Sequence, residues 1–363
     1  MNEVSHPKVE LDIEALIRDH FDPDWGSPYW LSRASSLSFD PLEDVHSLTD
    51  LIRFGPFPEE DLRTHPASSF VPAKFHAMIP EFIYSETGGT TGKAKGVYFS
   101  PSEFRAGFVD PFLRVCDEIG WPRGEKWLFL GPTGPHIIGR VLGPICREMD
   151  SPPPFRVDFD PRWSLRLTDR STAKARYLEH IVEQGLHLID KEGPRVLFGS
   201  PNVLQKLGEG MPESSRSAIL AVHYGGTALS PELYRVFREE LFPEAIHLSG
   251  YGNSLVGVAF EAGVSPEDRL VYFPSSDRHQ IRLIPLGEES LEERLRGQVI
   301  EGETGQVVVS RLDSTLFIPN LVERDMAGSV YAPDASGRLD WSPFGIYNPR
   351  PISEGISPQG ALY

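Results

Sequence analysis

The stretch that decides the reading is "SETGGTTGKAKGV", Ser85 to Val97, with four glycines, three threonines and two lysines in thirteen residues. Such a composition makes a poor helix and a poor strand. Its glycines can bring backbone N–H groups close to an anion, its threonine hydroxyls donate, and its lysines add charge. A polyphosphate is the guest these groups suit. The loop is not a Walker P-loop: Gly92-Lys93 is followed by Ala94, and the glycine that should precede Gly92 by five positions is Thr87. No helix-opening G-x-G-x-x-G is present either, so a dinucleotide fingerprint is excluded.

The rest of the chain sets limits on this guest. A length of 363 residues allows one large domain or two ordinary ones. The 35 basic and 52 acidic residues give a net charge of −17, which argues against a nucleic-acid reader or an anionic-membrane binder. Cys116 and Cys146 make neither a disulfide framework nor a metal knuckle, and a reduced cytoplasmic setting is expected. The charged N-terminus lacks the apolar core of a signal peptide, and no apolar run approaches the ~20 residues that span a bilayer.

From Phe82 onward, strand-like runs alternate with helical stretches. "WLFLG" (127–131), "RVLFG" (195–199), "ILAVHYG" (219–225) and "AIHLSG" (245–250) read as strands. Residues 101–119, 171–185 and 230–241 read as helices, with Ser230 as an N-cap and Pro231 at the first helical position. Residues 10–20 form a short amphipathic helix, and 56–73 are a Pro-punctuated loop region. The predicted class is α/β, with layered, mostly parallel sheets flanked by helices and a smaller β region. Ligands in such sheets gather at the carboxyl ends of strands. The expected organisation is an N-terminal helical and loop segment (1–80), a nucleotide-binding core (81–265), a β-rich subdomain (266–330) and a tail (331–363).

Thr87 to Gly96, Thr-Gly-Gly-Thr-Thr-Gly-Lys-Ala-Lys-Gly, resembles the phosphate loop of the adenylate-forming superfamily, Thr-Ser-Gly-Thr-Thr-Gly-x-Pro-Lys-Gly. That superfamily includes acyl- and aryl-CoA ligases, peptide-synthetase adenylation domains and firefly-type luciferases. Weaker resemblances follow in the family's order. "GPHIIGR" (134–140) is similar to its aromatic or histidine motif, and "HYGGTALSPEL" (223–233) to its paired-glycine segment. "LSGYGNS" (248–254) is similar to its adenine motif and "GETGQVVVS" (302–310) to the strand before the ribose site. "NLVERDMA" (320–327) resembles the phenylacetate–CoA ligase version of the ribose motif.

The resemblance implies ATP-dependent activation of a carboxylic acid, which would yield an acyl adenylate and pyrophosphate. Thr87, Gly88, Gly89, Thr90, Thr91 and Gly92 would hold phosphates, with Lys93 and Lys95 supplying charge and Mg2+ bridging phosphate oxygens. Gly225 and Gly226 would let adenine lie against the backbone. Tyr251 would stack on it beside Gly252 and Ser254, and Asp325 would accept from the ribose hydroxyls. The acyl pocket would draw on His136, Ile137, Ile138, His223, Tyr224 and Val256, with Arg140 a candidate partner for a second carboxylate. Thr87, Lys95 and His136 are the implied catalytic residues.

Two departures qualify this. The family places Glu, a Mg2+ ligand, where this chain has Leu255; Glu261, six residues on, is the candidate substitute. The family also carries a small C-terminal domain with a catalytic lysine. Here 38 residues follow Asp325 without a lysine, and the last lysine is Lys206. The expectation is a large domain without the small one, similar to the truncated adenylating proteins of phenazine antibiotic biosynthesis. An acceptor or a small-domain protein would then act in trans. A nucleotide- or aryl-acid-binding partner subunit that has lost catalysis is the alternative.

Overall fold

The glycine-rich stretch is flanked by two strands that pair with each other. In the computed structural model, which describes residues 11–87, 93–168, 171–264, 269–274, 278–331 and 344–352, strand β1 (Ile83–Glu86) pairs antiparallel with β2 (Gly96–Phe99), Glu86 opposite Gly96. The residues between them that carry the loop, Gly88, Gly89, Thr90, Thr91 and Gly92, lie outside the described residues.

The four runs read as strands form β3 (Trp127–Leu130), β5 (Val196–Gly199), β6 (Ala221–Tyr224) and β7 (Ile246–Asn253), joined by β4 (Phe155–Val157). All four residues of β3, β5 and β6 are buried. Unbroken apolar runs of this length suit parallel strands covered on both faces, and β4, β3, β5, β6 and β7 pair in parallel in that order. The covering helices include Thr172–Glu192, which starts on the Ser171 cap and ends at Gly193 in the left-handed region, φ 61°. Its Gly185 lies against the sheet: a Cβ there would come within 2.9 Å of both Leu130 and Leu207. The helix read over 101–119 is helical but widens into a π turn at Arg105–Val109 before continuing as Asp110–Ile119. The structure also extends the helix read over 171–185 by about two turns.

Strand β7 is the seam of the sheet. Its first half, Ile246 to Ser249, runs parallel to β6, whereas Gly250 to Asn253 pair antiparallel with β8 (Gly257–Val264). Beyond it lie β9 (Leu270–Pro274), β10 (His279–Ile284), β11 (Thr304–Leu312), β12 (Phe317–Tyr331) and β13 (Phe344–Pro351), all antiparallel. One eleven-stranded sheet results, in the order β10-β11-β12-β13-β9-β8-β7-β6-β5-β3-β4. The ribose-like motif is the middle of the fifteen-residue β12.

The N-terminal segment is stitched to this sheet. The helix Ile13–Phe21 buries Ile13, Leu16, Ile17 and Phe21, and Phe21, Trp30 and Phe54 gather around Phe317 of β12. His20 Nε2 donates to the Asp313 carbonyl at 2.9 Å. The region expected to be loop over 56–73 contains short helical turns at Asp61–Thr64 and Ala67–Phe70. Arg311, fully buried, donates to the carbonyls of Val256 (2.7 Å) and Glu103 (2.8 Å) and pairs with Asp313. It thereby ties β11 to the turn after β7 and to the helix over 101–119. A buried cation is tolerated only with such a full set of partners. No helix among the described residues is long and apolar enough to cross a membrane.

Candidate functional site

A cavity of about 300 Å3 opens at the carboxyl ends of β5, β6 and β7, beside the point in β7 where parallel pairing with β6 gives way to antiparallel pairing with β8. One end is polar. Thr87 and Lys95 sit there, one step past the last pair of the hairpin, and close its neck: Thr87 N–H donates to the Lys95 carbonyl, and Lys95 N–H donates to Thr87 Oγ1, both at 3.0 Å. The Lys95 ammonium meets Glu59 Oε1 at 2.8 Å. The same oxygen accepts from Arg63 Nη2 at 2.6 Å, while Arg63 Nε donates to the Lys93 carbonyl at 3.1 Å. Burial works against the charged Glu59 carboxyl, but Lys95 and Arg63 outweigh it and hold the group below its usual range. Lys93 itself is exposed and does not line the cavity.

Gly225 and Gly226 follow β6 along the cavity wall. Gly225 N–H donates to the Gly199 carbonyl at 3.1 Å, and Gly226 takes φ 93°, which a side chain would resist. Gly252, Asn253 and Ser254 form the wall where β7 turns into β8. The other end is apolar: Phe108 and Phe112 come from the helix over 101–119, Ile137, Ile138 and Val141 from the helix Ile137–Glu148, and Phe198 and Phe260 from β5 and β8.

His223 is the polar residue of this apolar end. Its ring lies 4.4 Å from Phe198 and 5.0 Å from Phe112, centroid to centroid. Its Nδ1 is 2.9 Å from the Leu248 carbonyl; a carbonyl only accepts, so Nδ1 carries the proton and Nε2 is left with a lone pair. Burial lowers its pKa to about 4, against a smaller opposing effect of that hydrogen bond, so the ring is neutral near pH 7.

A smaller pocket of about 40 Å3 adjoins the cavity and holds Tyr251, Val256 and Asp325. Tyr251 OH donates to Asp325 Oδ2 at 3.0 Å. Glu323 lines both spaces and accepts from the Asn253 side-chain amide. Burial first, and then repulsion from Asp325 and Glu59, raise the Glu323 carboxyl to about 7, with Lys95 pulling the other way. Asn253 Oδ1 accepts from the N–H groups of Leu255 and Val256, both at 2.9 Å, and so shapes the turn.

Thr87, Lys95, Ile137, Ile138, His223, Gly225, Gly226, Gly252 and Ser254 of the predicted residues thus meet in one cavity, with Tyr251, Val256 and Asp325 beside it. Others are placed elsewhere. His136 stands at the N-cap position of the helix Ile137–Glu148 without a side-chain cap bond, and its Nε2 lies 3.4 Å from Arg162 rather than lining the cavity. Burial and then the Arg162 charge lower its pKa. Tyr224 points to the opposite face of β6, packs on Phe237 and donates to His247 Nδ1 at 2.7 Å. Arg140 is exposed. The Glu261 carboxylate accepts from Tyr234 OH (2.7 Å) and Ser249 N–H (3.1 Å), outside the cavity lining.

Among the described residues no three His, Cys, Asp or Glu side chains gather as a metal site. Leu255 is fully buried. The expected protein ligand for Mg2+ is therefore not provided by Glu261. Sequence reasoning passed over Glu323 and Asn253; the alternation of a strand would have placed Glu323 on the face of Asp325, two residues on.

No family model matches the sequence, and no curated protein matches it. Solved structures do. One is 2-hydroxyisobutyryl-CoA ligase in complex with 2-HIB-AMP and CoA in the thioesterification state, at TM-score 0.68 and 13% identity over 96% of this chain and 68% of that one. Another is the same ligase in the postadenylation state with R3-HIB-AMP, at TM-score 0.66 and 12% identity over 93% and 65%. The expected α/β architecture is therefore the one observed, and it is the fold of an acyl-CoA ligase.

Proposed function

We propose that the protein activates a carboxylic acid with ATP, releasing pyrophosphate and forming an acyl adenylate. The observation that carries this reading is the two-ended cavity. The phosphate-loop neck, Thr87 and Lys95, stands at one end, an apolar chamber at the other, with paired glycines between them and a ribose-type carboxylate, Asp325, alongside. An acid seated in the chamber would direct its carboxylate toward the polar end. There one carboxylate oxygen attacks the α-phosphorus of ATP, a new P–O bond forms, and the bond to the β-phosphate oxygen breaks as pyrophosphate leaves. Two anions must approach each other, so the protein contributes positioning and positive charge. Thr87 and Lys95 would meet phosphate oxygens, and Lys95 would exchange Glu59 for them.

Asp325 is suited to accept from a ribose hydroxyl: among the described residues it is hydrogen-bonded through Oδ2 alone, which leaves Oδ1 to accept. Among the described residues no three His, Cys, Asp or Glu side chains gather to hold Mg2+, and Glu323 is the carboxylate that lines the cavity. Four phenylalanines in the chamber, Phe108, Phe112, Phe198 and Phe260, support an aromatic acid of secondary metabolism, as in the phenazine-pathway proteins that the motifs resemble. A soluble, cytoplasmic enzyme handing its product to an acceptor in trans completes the proposal.

A second reading, a catalytically impaired nucleotide- or aryl-acid-binding subunit, is favoured by one observation: the position that should carry a metal-binding Glu is the fully buried Leu255. ATP–pyrophosphate exchange on the purified chain, against a panel of aromatic and fatty acids, separates the two. Exchange stimulated by one acid class supports adenylation; ATP binding without exchange under any acid supports the binding subunit.

A further inference from the structure

The polar atom in the apolar chamber identifies what its occupant must carry. His223 sits among Phe112, Phe198 and Phe260, lines the cavity, and spends its one proton on the Leu248 carbonyl. Its Nε2 has no hydrogen bond among the described residues, and it is not one of the buried polar atoms sealed away from space. It therefore opens on the cavity as a lone-pair acceptor. Among the described residues no side-chain donor at that end competes for this acceptor, because the side chains around it are phenylalanine, isoleucine and valine.

A ligand that fills the chamber with hydrocarbon alone would strip water from Nε2 and return nothing, whereas one that presents an O–H or N–H restores the bond in apolar surroundings. We infer that the acid is a hydroxy- or amino-substituted one, its substituent donating to Nε2 of His223. This rests on the proposed acid site and names its substrate class. His223 is a specificity residue: it reads the body of the acid and stands apart from the reacting carboxylate.

The selectivity follows from sign as well as strength. A neutral imidazole with a bare Nε2 rejects a methoxy group, which can only accept and is bulkier, and favours hydroxyl over hydrogen at the same ring position. A site built around one hydrogen bond discriminates more strongly against an analogue lacking the donor than a purely apolar pocket can against a missing methylene. The preference should also hold from pH 5.5 to 8, since the ring stays neutral across that window.

The test is calorimetric binding of acids to the full-length protein without ATP: benzoate, the 2-, 3- and 4-hydroxybenzoates, the corresponding aminobenzoates and the methoxybenzoates. At one ring position the hydroxy or amino acid should bind at least about ten-fold more tightly than benzoate and the methoxy acid. His223→Phe should abolish that preference, and His223→Gln, whose amide oxygen accepts, should restore part of it. Equal binding of donor-bearing and plain acids by the wild-type protein, or binding of none, would overturn the inference without any variant having to fold. Pyrophosphate exchange run in parallel keeps the outcomes apart: a donor preference without exchange supports the His223 assignment and defeats adenylation, and exchange with no donor preference does the reverse.

Discussion

Lys95 Nζ lies 2.8 Å from Glu59 Oε1, so the cation best placed for a phosphate is already paired with a carboxylate from the N-terminal segment. The pair is mostly buried on the lysine side, 13% exposed against 27% for Glu59. A nucleotide must therefore displace Glu59 or share the ammonium with it. Glu59→Gln keeps the shape but removes the charge, and ATP affinity should rise several-fold. Lys95→Ala should lower it by roughly 10- to 100-fold, the usual worth of a hydrogen bond to a charged group. Calorimetric titration with ATP measures both, and an unchanged affinity in Lys95→Ala would remove Lys95 from the site.

Tyr251 and Asp325 are hydrogen-bonded to each other, so variants of each test separate roles. Asp325→Ala should weaken ATP and AMP alike, by about ten-fold, because the ribose is common to both. Tyr251→Phe removes the hydroxyl that occupies Asp325 Oδ2, so AMP binding should hold or improve. If Tyr251→Phe cost as much as Asp325→Ala, the hydroxyl would have to contact the nucleotide itself.

Leu255→Glu would place a carboxylate where the superfamily that the motifs resemble carries one, yet the surroundings of Leu255 are not built for a charge. The Leu255 side chain is fully buried in the turn fixed by Asn253. Burying a carboxylate there without a partner should cost on the order of 3 kcal/mol or more. A large drop in urea midpoint, without a gain in Mg2+-dependent ATP binding, is the expected result. A stable variant that binds Mg2+–ATP more tightly would show that the turn can rearrange.

Acid should weaken the fold. Burial is the first cause that lowers His20, His223 and His247 to about 4 and His279 to about 3, all from 6.5. The unfolded chain protonates these rings below pH 6.5 and the folded one refuses, so their contribution to stability falls as pH drops from 6.5 toward 4. Burial raises Asp313 and Glu323 to about 7, which acts in the opposite sense over the same range. The buried histidines outnumber the buried carboxyls of raised pKa, so unfolding takes up protons in this range and stability falls as pH drops. Scanning calorimetry from pH 7 to pH 4.5 should show a falling Tm; a flat or rising Tm would mean the histidines are not held neutral.

Local sequence carried much of the architecture. Unbroken apolar runs such as "WLFL" could only be strands covered on both faces, and Ser230 and Ser171 start helices because their hydroxyls accept from backbone N–H groups three residues on. The glycine-rich stretch announced a loop between strands, since its residues favour neither helix nor sheet. The α/β class was legible this way, whereas the grouping of Thr87, Gly225 and Ser254 was implied only by the motif resemblance.

Which neighbours turn inward was not. His223 and Tyr224 are adjacent on β6 and equally buried to the eye, but successive strand residues face opposite sides. Only the packed helices decide which side is chamber and which is core, giving His223 to the cavity and Tyr224 to Phe237. The same holds for Glu261, consumed by Tyr234, and for Glu59, brought to Lys95 across 36 positions of chain. Strand runs, caps and the loop composition are short-range facts, so the sequence alone determined them. The partner of each buried polar group depends on contacts between distant segments, and tertiary structure alone decided those.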